Sequence, residues 1–131
     1  MALLLDLVTP EKTLLSQEVY MAVIPGRDGD FGVLEGHTQL ISSIRPGVID
    51  IHNESGISER IFIAGGFAEV TNERCTVLAT EAFNLADANA DDARIRLENA
   101  ERELECGNDD TAKEAAHKKI ETAEALINAL S

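Results

Sequence analysis

Basic residues are scarce in this chain of 131 residues. Eleven lysines and arginines face 24 aspartates and glutamates, a formal net charge of −13. Phosphate recognition needs clustered Lys and Arg, so this imbalance argues against a nucleic-acid partner. It argues equally against direct docking on anionic lipid, and membrane association would have to run through another protein. No apolar run approaches the roughly 20 residues that span a bilayer as a helix. The stretch MALLLDLV has no basic n-region and meets Asp6 early. That pattern is not a secretory signal, and residence in the cytoplasm is expected. Cysteine is scarce too. Cys75 and Cys106 fall in different predicted units, form no CxxC pair and have no histidine at ligand spacing, so no zinc site is expected. They read as reduced thiols, one buried and one at a helix end. A nucleophile elbow, a Walker loop and an HExxH motif are all missing. His37, His52 and His117 have no Ser, Cys or Asp at a recognised catalytic spacing. Catalysis by this chain is not expected.

The apolar share of 44% is that of a globular protein. The chain changes character near Leu85. Upstream, β-branched and apolar residues alternate with polar ones, and residues 13–24, 48–52, 57–64, 67–71 and 75–80 read as strands. The turn signals between them are Gly26-Arg27-Asp28-Gly29, Pro46-Gly47, Asn53-Glu54-Ser55-Gly56 and Asn72-Glu73. Short strands at close spacing predict an antiparallel sandwich or barrel.

Downstream the period is helical. Ala90, Ala93, Leu97, Ala100 and Leu104 step by three and four residues, one apolar stripe. Asp87, Asp91 and Asp92 crowd the start, where negative charge complements the helix dipole. Glu98 and Arg102 lie four apart in the favourable order. Gly107 is a natural stop, and Asp109, Asp110 or Thr111 can cap a second helix. Its stripe is Ala112, Ala116, Ile120, Ala123, Ile127 and Leu130. The short connector predicts an antiparallel hairpin. The expected division is thus an N-terminal antiparallel β-sandwich over residues 1–85 and a C-terminal antiparallel two-helix hairpin over 86–131. The hairpin seam is mostly alanine. A buried methyl contributes about 0.8 kcal/mol, against roughly 1.5–3 kcal/mol for a leucine. The helices should form well but hold each other weakly, as a stabilising appendage or as a detachable arm.

Glycine is concentrated in PGRDGDFGVLEGHTQLISSIRPG, residues 25–47, at Gly26, Gly29, Gly32, Gly36 and Gly47. In an apolar context such glycines mark tight turns and close approaches, since glycine alone takes positive φ freely. Gly65-Gly66 within FIAGGFAEV marks a bulge or a place where another backbone approaches. In this order, with the early run LLLDLVTPEK, the RPG turn at 45–47 and the alanine-rich tail, these segments resemble the epsilon subunit of the F-type ATP synthase.

The resemblance implies a flattened ten-strand sandwich with one face on the gamma subunit and the glycine loop near the membrane c ring. By position, Asp30 becomes a rotor-contact residue and His37 its neighbour. Arg27, Asp28 and Glu35 would lie on the rim of the same surface. Residue chemistry alone also allows Asp30 merely to shape a turn and His37 to bond backbone at a strand end. The implied function is that of a non-catalytic central-stalk subunit, coupling proton-driven ring rotation to ATP synthesis in the catalytic head. It would be peripheral, on the cytoplasmic side of a bacterial inner membrane or the matrix or stroma side in an organelle. Some relatives bind ATP through a segment of the form Ile/Leu-Asp-x-x-Arg-Ala. Here Asp91 and Arg94 match, Ala90 and Ile95 depart, and the second helix has no arginine. No cofactor is expected, and ATP as a regulatory ligand is disfavoured by the dense acidic start. Inhibitory relatives carry basic residues on the second helix that meet the catalytic subunits transiently. Lys113, Lys118 and Lys119 would play that part here, but Glu114, Glu121 and Glu124 are interleaved, and weak inhibition is expected. Two other readings stay open: a regulatory nucleotide-sensing or inhibitory arm as the chief role, and a free-standing β-sandwich binding module.

Overall fold

The computed structural model describes residues 3–131. The first two residues of the expected 1–85 unit, and of its amino-terminal stretch, lie outside the described residues. The chain divides into two compact units, one ending at Ala86 and one running from Asp87 to Ser131.

Ten strands make up the first unit among the described residues. They are β1 (Leu3–Val8), β2 (Thr13–Val19), β3 (Met21–Gly26), β4 (Gly29–Leu34), β5 (Leu40–Ile44), β6 (Gly47–Asn53), β7 (Gly56–Ile63), β8 (Gly66–Val70), β9 (Arg74–Ala79) and β10 (Ala82–Asn84). Hydrogen bonding runs in the order β10-β7-β6-β3-β5-β8-β9-β1-β2, with β4 beside β3. Only one residue pair, Gly26 with Ile44, links β3 to β5. At that corner the ladder turns over, and the two halves pack as the layers of a sandwich. Period-two alternation builds the core. In β1, Leu3, Leu5 and Leu7 are buried, while Leu4, Asp6 and Val8 are half-buried on the other face. Ile24, Ile49, Ile51 and Ile63 meet Val70, Cys75 and Val77 in the same cluster. Phe62 is fully buried on the opposite face of β7 and lies against Phe83 of β10, ring centroids 5.3 Å apart.

The expected sandwich is present; β1, β4 and β5 join the strands read from the sequence, and three further details differ. Residues 13–24 form two strands, not one. Their pattern is continuous, but β2 pairs with β1 whereas β3 pairs with β4 and β6. The chain therefore changes layers at Tyr20, whose N–H donates to the His52 carbonyl at 3.1 Å. Secondly, β1 and β9 pair in parallel, whereas the other pairings among the described residues are antiparallel. Sequence-distant strands meet there, and no local turn signal sets their direction. Thirdly, β10 is three residues long, too short for a period to show.

Gly66 is where the glycine pair meets another backbone. It pairs with Ala79 at φ 151°, and a Cβ there would sit 1.9 Å from the Leu78 carbonyl oxygen. Gly66→Ala should therefore destabilise the first unit by at least about 2 kcal/mol. Urea unfolding of the full chain, followed by the β signal, measures this; a midpoint unchanged from the parent would show that β8 and β9 are not so closely apposed.

The second unit is two helices, α1 (Ala90–Cys106) and α2 (Asp110–Leu130). Both start on side-chain caps. Asn89 accepts the Asp92 N–H at 3.0 Å, and Asp109 accepts the Ala112 N–H at 2.7 Å. Gly107 ends α1, but with φ −65° and not in the left-handed conformation. Space accounts for it instead, since a Cβ would lie 3.3 Å from both the Glu103 carbonyl and the Lys113 side chain. The seam is mostly alanine: Ala93, Ala100, Ala116 and Ala123 are buried, joined on α2 by Thr122 and by Leu126, which the expected stripe did not include. Leu97, Leu104, Ile120, Ile127 and Leu130 are half-buried, whereas Ala90 and Ala112, in the first turns, are exposed. A chain ending at Ala86 should remain β-rich and unfold cooperatively by circular dichroism, because its core cluster lies within that unit. A broad, non-cooperative melt would show that the first unit is not independent.

Candidate functional site

The β3–β4 hairpin closes on a two-residue turn, Arg27-Asp28, between Gly26 and Gly29, which pair across it. Arg27, Asp28 and Asp30 are exposed. Arg45, at the corner between β5 and β6, reaches across the base of this tip. Its Nη2 donates to Asp30 Oδ1 at 2.5 Å and its Nη1 to the Gly26 carbonyl at 2.6 Å. Backbone bonds hold the same corner: the Arg27 N–H donates to the Ser43 carbonyl, and the Arg45 N–H to the Pro25 carbonyl, each at 3.0 Å. The carboxylate is thus part of a built contact and still more than half exposed.

The far end of β4 carries a second group. A strand rises about 3.3 Å per residue, which separates Leu34 from Asp30 by roughly 13 Å. The His37 ring donates from Nδ1 to the Thr38 carbonyl at 2.7 Å, and the Gly36 N–H donates to the Asn72 carbonyl at 2.6 Å. Glu35 lines an open depression of about 810 Å³ together with Glu18, Glu69, Glu73 and Arg74. Of the residues expected on one surface, the structure brings Arg27, Asp28 and Asp30 together at one end of β4. It sets Glu35 and His37 at the other. His37 does bond backbone beyond a strand end, the plainer role allowed by its chemistry.

Between them lies an apolar face. Phe67 and Leu78 are directly opposite on β8 and β9, and Ile41 on β5 is opposite Glu69, two residues along the same side from Phe67. Ile41 is 75% exposed, Phe67 58% and Leu78 54%. Large apolar side chains clustered in solvent mark an interaction surface.

Comparison with known proteins settles the family. Residues 2–85 match the model for the ATP synthase, Delta/Epsilon chain, beta-sandwich domain. The chain is 48% identical over 124 residues to the ATP synthase epsilon chain of Rhodospirillum rubrum, covering 95% of this chain and 92% of that protein. It belongs to the ATP synthase epsilon-chain family. A further relative, the epsilon chain of Rhodospirillum centenum, is 44% identical, with 96% and 90% covered. Among solved structures, a chain of the Euglena gracilis mitochondrial ATP synthase OSCP/F1/c-ring assembly superposes with TM-score 0.84 at 25% identity, covering 99% of this chain and 82% of that one. A chain of the Tetrahymena thermophila mitochondrial ATP synthase central stalk and c ring shares the fold, with TM-score 0.69 at 17% identity, covering 100% and 98%.

In the hairpin of this epsilon-family chain, Arg94 is paired with Asp91 on the first turns of α1, both side chains exposed. The two matching positions of the ATP-binding pattern therefore form an i, i+3 pair. Lys119 donates to Glu103 of α1 at 2.8 Å. At about 100° per residue, Lys118 and Lys119 lie roughly 140° and 240° around α2 from Lys113. The three lysines do not share one face.

Sequence reasoning did not single out Arg45, which the structure puts at the base of the tip. The signal was available, since Arg45 is the one basic residue between Arg27 and Arg60. Cys75 is buried in the sandwich core, and burial, helped by the charge of Asp6, pushes its thiol from 9.0 up to about 12. Cys106 is exposed. One thiol should therefore react with a disulfide reagent at pH 8 in the folded chain, and two after unfolding. A folded chain that titrates two thiols would place Cys75 at the surface. Since the folded thiol holds its proton more tightly, its contribution to stability is fully present below pH 9. It is lost as pH rises toward 12, at up to about 1.4 kcal/mol per pH unit.

Proposed function

We propose that the chain is the non-catalytic epsilon subunit of an F-type ATP synthase rotor, with its sandwich on the gamma subunit and its β3–β4 tip toward the membrane c ring. Family membership over nearly the whole chain carries this reading. The exposed face of Ile41, Phe67 and Leu78 supports gamma as the partner of the sandwich, because it offers apolar area on a chain otherwise rich in acid. The exposed tip of Arg27, Asp28 and Asp30 supports the ring contact. Glu35 and His37, at the other end of β4, belong to the rim of the gamma-facing side in this reading. The chain performs no catalysis itself and passes rotation between ring and head. It sits peripherally, on the side of the membrane that carries the catalytic head. Pull-down from detergent-solubilised host membranes should return the rotary complex; recovery of the chain alone would favour the free-standing module. Asp30→Arg, which sets a second guanidinium beside Arg45, should lower proton pumping per ATP hydrolysed by roughly twofold or more while the isolated chain stays folded. Unchanged pumping would remove Asp30 from the coupling surface.

A nucleotide-sensing or inhibitory arm as the chief role is not favoured. Arg94 is engaged by Asp91, Lys119 by Glu103, and the lysines of α2 do not converge. Exposed pairs of this kind contribute about 0–1 kcal/mol each. Ending the chain at Ala86 should accordingly raise ATP hydrolysis by the assembled catalytic complex less than about fivefold. A rise of tenfold or more would make the arm a strong brake.

A further inference from the structure

We infer that Arg45 is the positioning residue of the β3–β4 tip, and that Asp30 serves the ring contact as the anchor of this latch rather than as a free charge. The inference rests on the reading that the tip faces the ring. In the structure the Arg45 guanidinium binds both legs of the hairpin at once: the Gly26 carbonyl, last residue of β3, and the Asp30 carboxylate, second residue of β4. Such a two-point contact needs the planar fork of arginine, which an ammonium does not supply. The latch itself is well founded. The Arg45 N–H is bonded to the Pro25 carbonyl, and the next residue, Pro46, is buried with its φ fixed by the ring.

The tip beyond the β3–β4 ladder has a turn of two residues, held by the Arg27 N–H bond to Ser43. Its two-residue turn lies between glycines, and Gly29 takes φ 134°. Glycine backbones have the most freedom to lose on ordering. Asp30 is more than half exposed and Arg45 more than a third, so the ion pair alone is weak. The bond to the Gly26 carbonyl makes it a clamp. Arg27 and Asp28 are the other charged groups at the tip, and both sit in the turn that the clamp orients. A ring partner then meets a tip of fixed pose with Arg27 and Asp28 in its exposed turn, and the Asp30 charge already answered by Arg45.

Two measurements test this, using full-length chain throughout. In the isolated protein, amide hydrogen exchange at Arg27, whose N–H bonds the Ser43 carbonyl, should speed up by roughly fivefold in Arg45→Lys and more in Arg45→Ala. Core amides such as Val77 should not change. Equal exchange at Arg27 in all three proteins would overturn the latch. In the complex depleted of this subunit and refilled with each variant, Arg45→Lys should lower proton pumping per ATP hydrolysed. The double variant D30R/R45D restores the ion pair, though not the bond to Gly26, and should recover a large part of the pumping lost in D30R. If D30R/R45D regains slow exchange yet pumps no better than D30R, the ring reads the Asp30 charge itself and the inference fails. If exchange rises as expected but no variant alters pumping, the latch stands as a feature of the fold, the reading of the tip as ring-facing fails, and the role of Arg45 in coupling fails with it.

Discussion

One residue pair joins the two layers of the sandwich. Gly26 lies opposite Ile44, flanked by the Arg27 N–H bond to Ser43 and the Arg45 N–H bond to Pro25, and there the ladder passes from the β6–β3 side to the β5–β8 side. Everything at the tip follows from how closely the chain packs at that corner. A Cβ on Gly26 would lie 2.7 Å from the Gly29 carbonyl and 2.9 Å from the Phe31 ring. A Cβ on Gly47 would lie 3.1 Å from Pro25. The corner brings Arg45 under the hairpin and sends Arg27 and Asp28 outward. The glycines and prolines of residues 25–47 are therefore the condition for the overlap of two sheet layers, and the exposed tip is its consequence.

How much of this could be read from residue order depends on how local the cause was. Alternation in β6, β8 and β9 is a property of a few adjacent residues, and it located those strands. The helices were legible for the same reason, down to Asp109 as one of three candidate caps. β1, β4 and β5 were not read as strands, and the other misses are long-range. Residues 13–24 carry one unbroken pattern, but the partners on either side of Tyr20 lie in different layers. β1 runs parallel to β9 because of where β9 arrives, some 70 residues later. At the tip, the acid among glycines pointed to Asp30, while its partner lies 15 residues on. Glu35 and His37 looked like its neighbours only because they are near in sequence. Asp30 is near the start of the six-residue β4, and Glu35 and His37 lie beyond its end.

The charge distribution bears on the kind of partner proposed for this chain. Arg45, Arg60 and Arg74 of the first unit are engaged by Asp30, Asp50 and Asp6. Positive charge is thus answered within the fold, while a large excess of carboxylates faces water. Exposed pairs of this sort add little to stability, but they remove cations from the outward field. Long-range attraction then selects basic surfaces, and close contact falls to the apolar row of Ile41, Phe67 and Leu78.

The two units also differ in what holds them. The sandwich buries leucine, isoleucine and valine from both layers, side chains that each contribute about 1.5–3 kcal/mol when removed from water. Along the hairpin, the most buried positions of α1 are Ala93 and Ala100 alone, each presenting one methyl at about 0.8 kcal/mol. Caps at Asn89 and Asp109 secure the helices individually, and Lys119 with Glu103 adds an exposed link between them. Helix formation and helix pairing are therefore stabilised separately, the first strongly and the second weakly. Local opening draws on the least stable contacts of a fold. In this chain those contacts are the alanine seam, so separation of the helices should cost less than unfolding either helix or the sandwich core.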